Sequence, residues 1–334
     1  MFKYFLSLLF FISEIFPQWA LWANPSLPVG SADKGVGLEA GEMMVTADYS
    51  FQNIDWWHGQ ISENEPFNHV GDLQTSMLNL RFSVGFNDYW DMTIEQPLIY
   101  RCMGWHVDND SEHHRSECSD TDFFDSDGTL QAKGGLFGDT QFKFRYLFTN
   151  TGKGLGNRFF IETGVFIPSN NSLRKDPFHL EEKANGTYDE SENHSHRHFA
   201  VSDGAYKISL GLEYFKKRES YPVFWGFTSK IIHPLYENKY GYLPSVNYDL
   251  TFSMLSGPPR PLNMKSNSFQ LASIGLGLNI KYSDIAKWNG FDVPNSKSNA
   301  ITPMLTFVFS SQNSGSLGFS INYSDLSVWS VGDD

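Results

Sequence analysis

The chain has 334 residues, a formal net charge of −13, 19% charged residues and 16% aromatic residues. The acidic balance argues against nucleic acid as a partner, because phosphate binding needs clustered cations. The mean hydropathy of −0.35 resembles that of a soluble protein. A membrane β-barrel gives a similar value, since half of each strand faces a polar lumen.

Residues 1–23 have the layout of a signal peptide. Lys3 precedes an apolar run from Tyr4 to Phe16, and small residues stand at Ala20 and Ala23, which is the order typical of secretory signals. We expect cleavage after Ala23, with Ala20 as the second candidate, so that residues 24–334 form one mature domain. Glu14 interrupts the apolar run, and the alternative interpretation is a buried hydrophobic N-terminal helix.

Apolar and polar residues alternate in about eleven segments of the remaining chain. Side chains of a strand point alternately to its two faces, whereas a helix would show apolar residues three and four positions apart. The segments are Val45–Phe51, Leu78–Phe86, Trp90–Tyr100, Phe142–Phe148, Phe159–Ile167, Tyr206–Tyr214, Val223–Ile231, Val246–Met254, Ile274–Tyr282, Leu305–Phe309 and Leu317–Tyr323.

This alternation predicts an all-β protein, an antiparallel up-and-down transmembrane β-barrel in the cell outer membrane, with outer-membrane lipid as a partner. Tyr and Trp concentrate at segment ends, as in aromatic girdles at the two membrane interfaces. The alternative is a soluble β-sandwich or lipocalin-like barrel. It would need a densely charged exterior, whereas the polar face here is rich in Gly, Ser, Asn and Thr.

The connections between the first segments alternate long and short, as an up-and-down barrel with long external loops requires. The long ones are 55–70, 103–137 and 169–200, and the short ones are 87–88, 150–156 and 216–220. Barrels usually have an even strand number, so we take Asp284–Val293 as a weak strand. The count becomes about twelve, with both termini on the periplasmic side.

Short motifs resemble a known family. Gly134–Phe148 (GGLFGDTQFKFRYLF), the lead Glu39–Glu42 and the hairpin order of Leu78–Leu98 are similar to the outer-membrane transporter-like β-barrels associated with aromatic (phenol meta-pathway) degradation. The resemblance implies a twelve-stranded channel for small hydrophobic or aromatic molecules. The chain departs from outer-membrane barrels at its end, where five residues follow Trp329.

Thirteen inward positions of the predicted strands carry charges of both signs, among them Asp48, Asp91, Lys143, Lys230, Asp249 and Lys281. Two interpretations are open: ion pairs that only satisfy the interior, or a constriction that orients a polar or amphipathic solute. Charge alone would also allow a small anion. The lumen residues singled out as the predicted site are Arg81, Glu95, Arg145, Arg158, Glu162, Lys207 and Glu213.

Histidines concentrate in the connection before Tyr206. His194, His196 and His198 alternate, which places three imidazoles on one side of an extended chain and predicts a weak divalent transition-metal site. A metal-collecting surface barrel is therefore the alternative function, and the plain alternative is a solvated polar loop. No other cofactor is predicted.

Cys102 and Cys118 are the two cysteines of the chain. In an exported protein an even pair indicates a disulfide. An enzyme is not predicted, because no nucleophile motif accompanies the histidines. The predicted function is thus a passive outer-membrane channel for a small-molecule solute.

Overall fold

The computed structural model describes residues 5–13, 38–58, 69–105, 136–149, 155–187, 200–220, 222–257, 268–294, 296–311, 315–323 and 325–328. Side chains are described for these residues except 5–13, 54–58, 69–72, 102–105, 310, 315–316 and 325–328. Within these ranges, no helix is long and apolar enough to cross a membrane.

Within the described ranges, thirteen strands form the main sheet. They are β1 (Phe5–Ser13), β2 (Met43–His58), β3 (His69–Gly85), β4 (Trp90–Trp105), β5 (Thr140–Thr149), β6 (Gly156–Ile167), β7 (Lys207–Lys217), β8 (Phe224–Pro234), β10 (Asn247–Leu255), β11 (Gln270–Ser283), β14 (Ser298–Ser311), β15 (Gly315–Asn322) and β16 (Asp325–Val328). The remaining elements of the described residues are β9 (Tyr242–Leu243), β12 (Lys287–Trp288), β13 (Phe291–Asp292) and the helix α1 (Leu180–Asn185).

Strands that follow one another in the main sheet pair antiparallel from β2 to β15. The predicted antiparallel up-and-down sheet is therefore confirmed. β1 pairs with both β2 and β15, so it bridges the two edge strands that the later residues form. Phe5–Ser13 is a strand rather than the helix of the alternative interpretation, and the signal peptide stays a prediction.

The connections alternate between two ends of the sheet. We call the end where β2 begins at Met43 the near end and the opposite end the far end. Residues 86–89, 150–155 and 218–223 connect strands at the near end, whereas 59–68, 106–139 and 168–206 connect them at the far end. The predicted alternation of short and long connections is confirmed.

The proposed strand Asp284–Val293 is wrong. Lys287–Trp288 and Phe291–Asp292 instead form a small hairpin, and with β9 they make a separate three-stranded sheet. Asn289 and Gly290 have φ of 48° and 84°, which is the backbone of a tight hairpin turn and ends any longer strand.

The predicted count and termini also differ from the structure. The described chain has sixteen strands, several of them very short. β16 pairs with the first residues of β14 and therefore ends at the far end, whereas β2 begins at the near end. The two chain termini were predicted on one side of the membrane because Asp284–Val293 was counted as a strand that spans it.

The two faces of the main sheet have opposite polarity. On β7, Leu210 is 56% exposed and its neighbour Ser209 is 3% exposed. The same alternation holds on β11, where Leu276 is half exposed and Ser273 is buried. Outward side chains are thus apolar and inward side chains polar, which is the reverse of the soluble barrel in the alternative interpretation.

Three far-end connections fold together into a unit that we call the cap. Its core contains Leu173, Phe178, Ala286, Trp288 and Val293. The main-chain N–H of Asn289 donates to Gly241 O at 2.9 Å, which joins two of the connections. The described residues of the cap are 168–187, 200–206, 235–246, 284–294 and 296–297.

Candidate functional site

The inward face of β2 to β8 carries charged side chains in ion pairs. Arg81 on β3 contacts the Asp48 carboxylate, and its Nε lies 3.1 Å from Glu95 Oε2. Lys143 Nζ lies 2.8 Å from the same Glu95 oxygen. Four neighbouring strands are therefore linked by side chains that alternate in sign, which offsets the cost of burying each charge.

A second group centres on Arg145 of β5. Its Nε and Nη2 donate to the two oxygens of Asp91 at 3.0 and 3.1 Å, and its Nη1 lies 3.3 Å from Glu213 Oε2. The pair with Asp91 has the planar two-bond geometry that guanidinium and carboxylate favour. The Arg145 Cζ also lies 4.7 Å from the centre of the Phe160 ring.

Glu162 on β6 and Lys230 on β8 meet across β7, with Nζ and Oε1 3.0 Å apart. The residue between them in the ladder is Gly211. A Cβ there would lie 3.4 Å from Glu162 Cβ, so a larger residue would stand beside the ion pair. Gly211 has no side chain, which leaves space for the Glu162 and Lys230 side chains to meet.

Lys207 lies at the far end of β7, 3.0 Å from Asp139 Oδ2 and 2.7 Å from Asp203 Oδ2. Asp139 belongs to the GD pair of the family-like motif, and its Oδ1 also accepts the Ser169 N–H. This carboxylate therefore fixes the base of the cap to the wall. Sequence reasoning placed Lys207 in the lumen but missed Asp139.

Apolar side chains fill the near end of the interior. Phe215 packs against Phe160 and Phe224, with ring centres 6.2 and 5.6 Å apart. Arg158, 2% exposed, lies directly opposite Phe215 on the neighbouring strand. We call this group the near-end cluster: Leu147, Phe160, Phe215, Phe224 and Leu255.

Sequence reasoning missed the near-end cluster although the sequence marks it. Each member sits beside a second apolar residue near a strand end, as in Phe159-Phe160, Tyr214-Phe215 and Val223-Phe224. Because neighbouring side chains of a strand point to opposite faces, one residue of each doublet must face inward.

The wall of β10 to β15 is different, because its inward residues are mostly small and uncharged. The Thr306 and Ser320 hydroxyls lie 2.6 Å apart and hydrogen-bond to each other. The interior is therefore two-sided, with long ion-paired side chains on one wall and short ones on the other. Buried small residues of this wall include Ser253, Ser273, Thr306, Ser311 and Ser320, with Gly275 and Gly318.

The other predicted sites fall largely outside the described residues. His194, His196, His198 and Cys118 lie outside them, and Cys102 is on β4 with its side chain outside the description. Among the side chains that are described, no group of three His, Cys, Asp or Glu could hold a metal ion. The metal site and the disulfide stay predictions.

Fold and interior together define an antiparallel up-and-down β protein with an apolar exterior and an ion-paired interior. No protein-family model and no curated protein matches the chain.

Comparison with solved structures gives only distant likeness. CdiB from Escherichia coli matches at 10% identity and a TM-score of 0.33, over 96% of this chain and 63% of that chain. The chain thus spans less than two thirds of CdiB. The CymD monoaromatic hydrocarbon channel matches at 6% identity and a TM-score of 0.31, over 98% of this chain and 88% of that chain. TM-scores this low do not establish a shared fold.

Proposed function

We propose that the chain is an outer-membrane β-barrel that passes a small solute through a narrow lumen. The reversed polarity of the sheet carries this proposal. Outward side chains such as Leu210, about half exposed, would stay in contact with water on a soluble sheet, whereas lipid would remove them from it. At about 1.5–3 kcal/mol for a whole side chain, roughly ten half-exposed side chains would gain on the order of 8–15 kcal/mol by this transfer. That gain is comparable to the whole stability of a folded domain, about 5–15 kcal/mol.

Aromatic residues on the outward face support the same placement. Trp90 and Tyr146 pack at the near end with ring centres 4.7 Å apart. Tyr248 and Tyr282 pack at the far end, 5.8 Å apart. Two levels of amphipathic rings match the two headgroup regions of a bilayer.

The inward side chains support a narrow passage for a small solute. Ion pairs cover the wall of β2 to β8, and the near-end cluster fills the near end of the interior. We therefore infer that the passage runs mainly beside the small residues of β10 to β15. A passage between Phe rings and hydroxyl groups suits a solute with an apolar body. The solute is therefore a small hydrophobic or aromatic molecule, in line with the family resemblance.

Removal of a signal peptide would have a structural consequence. Without residues 1–23 the sheet loses β1, and β2 and β15 become edges that run in the same direction. Backbone groups inside a bilayer need partners, so these edges would then pair with each other. We expect the intact mass of the extracted protein to correspond to a chain that begins at Asn24. Retention of residues 1–23 would contradict the signal peptide.

Planar-bilayer recording tests the channel. We expect small, infrequent conductance from the wild type, because ion-paired side chains fill one wall. Arg145→Ala should raise the conductance and shift it toward cations, since Asp91 and Glu213 lose their partner. Arg218→Ala, at a near-end turn, is the matched control. Heat-modifiable migration on gels checks folding of each variant. A large, steady, unselective wild-type conductance would contradict the narrow lumen.

A further inference from the structure

The cap behaves as one folded unit, because hydrogen bonds join all three of its connections. Asn238 Nδ2 donates to Asp203 O at 3.0 Å, and Asn289 Nδ2 lies 3.4 Å from Glu181 Oε2. Gly204 has a φ of +70°, and a Cβ there would lie 2.7 Å from Ser172 Oγ. The chain is packed closely at this point, as in a folded domain rather than a set of separate loops.

The hairpin of the cap is held from inside in the same way. Ser296 Oγ accepts the Ala286 N–H at 2.9 Å and donates to Val293 O at 2.7 Å. The Tyr242 and Trp288 rings pack with centres 5.1 Å apart. These contacts are internal to the cap, so they persist when the cap moves as a rigid body.

The cap also reaches a part of the wall from which none of its connections starts. Leu73 on β3 is 7% exposed and belongs to the apolar core of the cap. Arg101 on β4 donates from Nη1 to Ala200 O at 3.1 Å. The connections of the cap start from strands β6 to β14, so contacts with β3 and β4 carry it across the far mouth.

We propose that the cap is a gate over the far mouth, held shut by Leu73 and Arg101. Opening separates these two side chains from the cap, which turns on the ends of its own strands. The proposal rests on the channel function and adds its regulation. Leu73 and Arg101, which also faces Asp203, are two side chains against the whole apolar core and hydrogen-bond network inside the cap. This interface is therefore where the structure opens first.

The gate is tested by conductance and by labelling together. Leu73→Ala and Arg101→Gln, singly and combined, are recorded in planar bilayers. Controls are Leu80→Ala, the same change on the outward face of β3, and Arg218→Gln at a near-end turn. Heat-modifiable migration confirms that each barrel is folded. We expect the double variant to open at least about tenfold more often than the wild type and the controls to match the wild type.

Cysteine labelling measures whether position 73 is covered by the cap, without relying on conductance. Leu73→Cys, in a background with Cys102→Ser and Cys118→Ser, is treated with a membrane-impermeant maleimide with and without Arg101→Gln. Faster labelling with Arg101→Gln supports the gate. Unchanged labelling and unchanged opening, with a conducting wild type, overturn the gate and leave the channel standing. Faster labelling with no conductance in any variant supports the contact of Arg101 with the cap as a closing contact, and it overturns the proposed channel function.

Discussion

The interior has an apolar cluster at each end, and the two clusters come from different parts of the chain. The near-end cluster takes one residue from each of five neighbouring strands. The core of the cap takes its residues from connections, with Leu73 as its member from the main sheet. The near-end cluster cannot move without breaking backbone hydrogen bonds between the strands of the sheet. The cap can move by turning on the ends of the strands that its connections join. A rigid end and a movable end follow from this difference.

The largest expected effect is from removing a ring of the near-end cluster. Phe160→Ala and Phe215→Ala delete side chains that are fully buried, and such changes cost about 3–5 kcal/mol. We expect a loss of this size in urea unfolding of protein folded in vesicles. Phe227→Ala, on the outward face, should cost less, because lipid chains fill the space left by the ring. Equal losses would show that the near-end cluster is not a packed core.

The next effect separates the core of the cap from the sheet. Trp288→Ala removes a ring that is 2% exposed, and the cap should lose about 3–5 kcal/mol of local stability. We expect faster trypsin cleavage after Lys287, while urea unfolding of the sheet stays unchanged. If the cap and the sheet lost stability together, they would fold as one unit, and the difference between a rigid end and a movable end would not hold.

A smaller effect is expected at Gly226, over which the Phe215 ring lies. A Cβ there would be 2.4 Å from Phe215 Cδ1, so Gly226→Ala must displace the ring at a cost of about 1–3 kcal/mol. Gly211→Ala is the matched change, since its closest contact would be 3.3 Å, to Ser229 O. Urea unfolding should rank Gly226→Ala as the more destabilised, and the reverse order would contradict the packing.

The sequence predicts the strands better than the cap for a physical reason. A half-exposed strand repeats every two residues, and this period located every long strand from β2 to β15. The near-end cluster was also readable from doublets such as Phe159-Phe160. Within the cap, local signals such as the Asn289-Gly290 sequence mark turns but not the contacts between connections. Contacts such as Arg101 with Ala200 join residues far apart in the chain, so no local pattern predicts them.

The interior charges show the same limit. Alternation along β5 and β7 predicts that Arg145 and Glu213 both point into the interior, where they can approach each other. Alternation alone does not predict that Arg145 also donates two hydrogen bonds to Asp91. That choice depends on register, which aligns Asp91 with Arg145 across the ladder. Register is set by the turns and by packing over the whole sheet.

The smallest expected effect is a pH dependence within the cap. Burial raises the pKa of the Asp176 carboxyl, although it accepts the N–H groups of Phe178 and Leu180 at 2.9 and 2.7 Å. A raised pKa in the folded state means that the cap binds the proton more tightly than the unfolded segment does. The cap is therefore most stable below the unfolded pKa, and it loses this stability as the pH rises through the folded pKa.

Asp176→Asn tests this dependence. The amide keeps one acceptor oxygen and loses the other, so the variant should lose about 0.5–1.5 kcal/mol from one hydrogen bond. It should also lose the extra stabilisation on acidification, because it has no carboxyl to protonate. Amide hydrogen exchange of Phe178 and Leu180, measured from neutral to acidic pH and corrected for intrinsic exchange, compares the two proteins. The wild type should gain protection relative to the variant as the pH falls. The same change of protection in both would assign the pH response of the cap to another group.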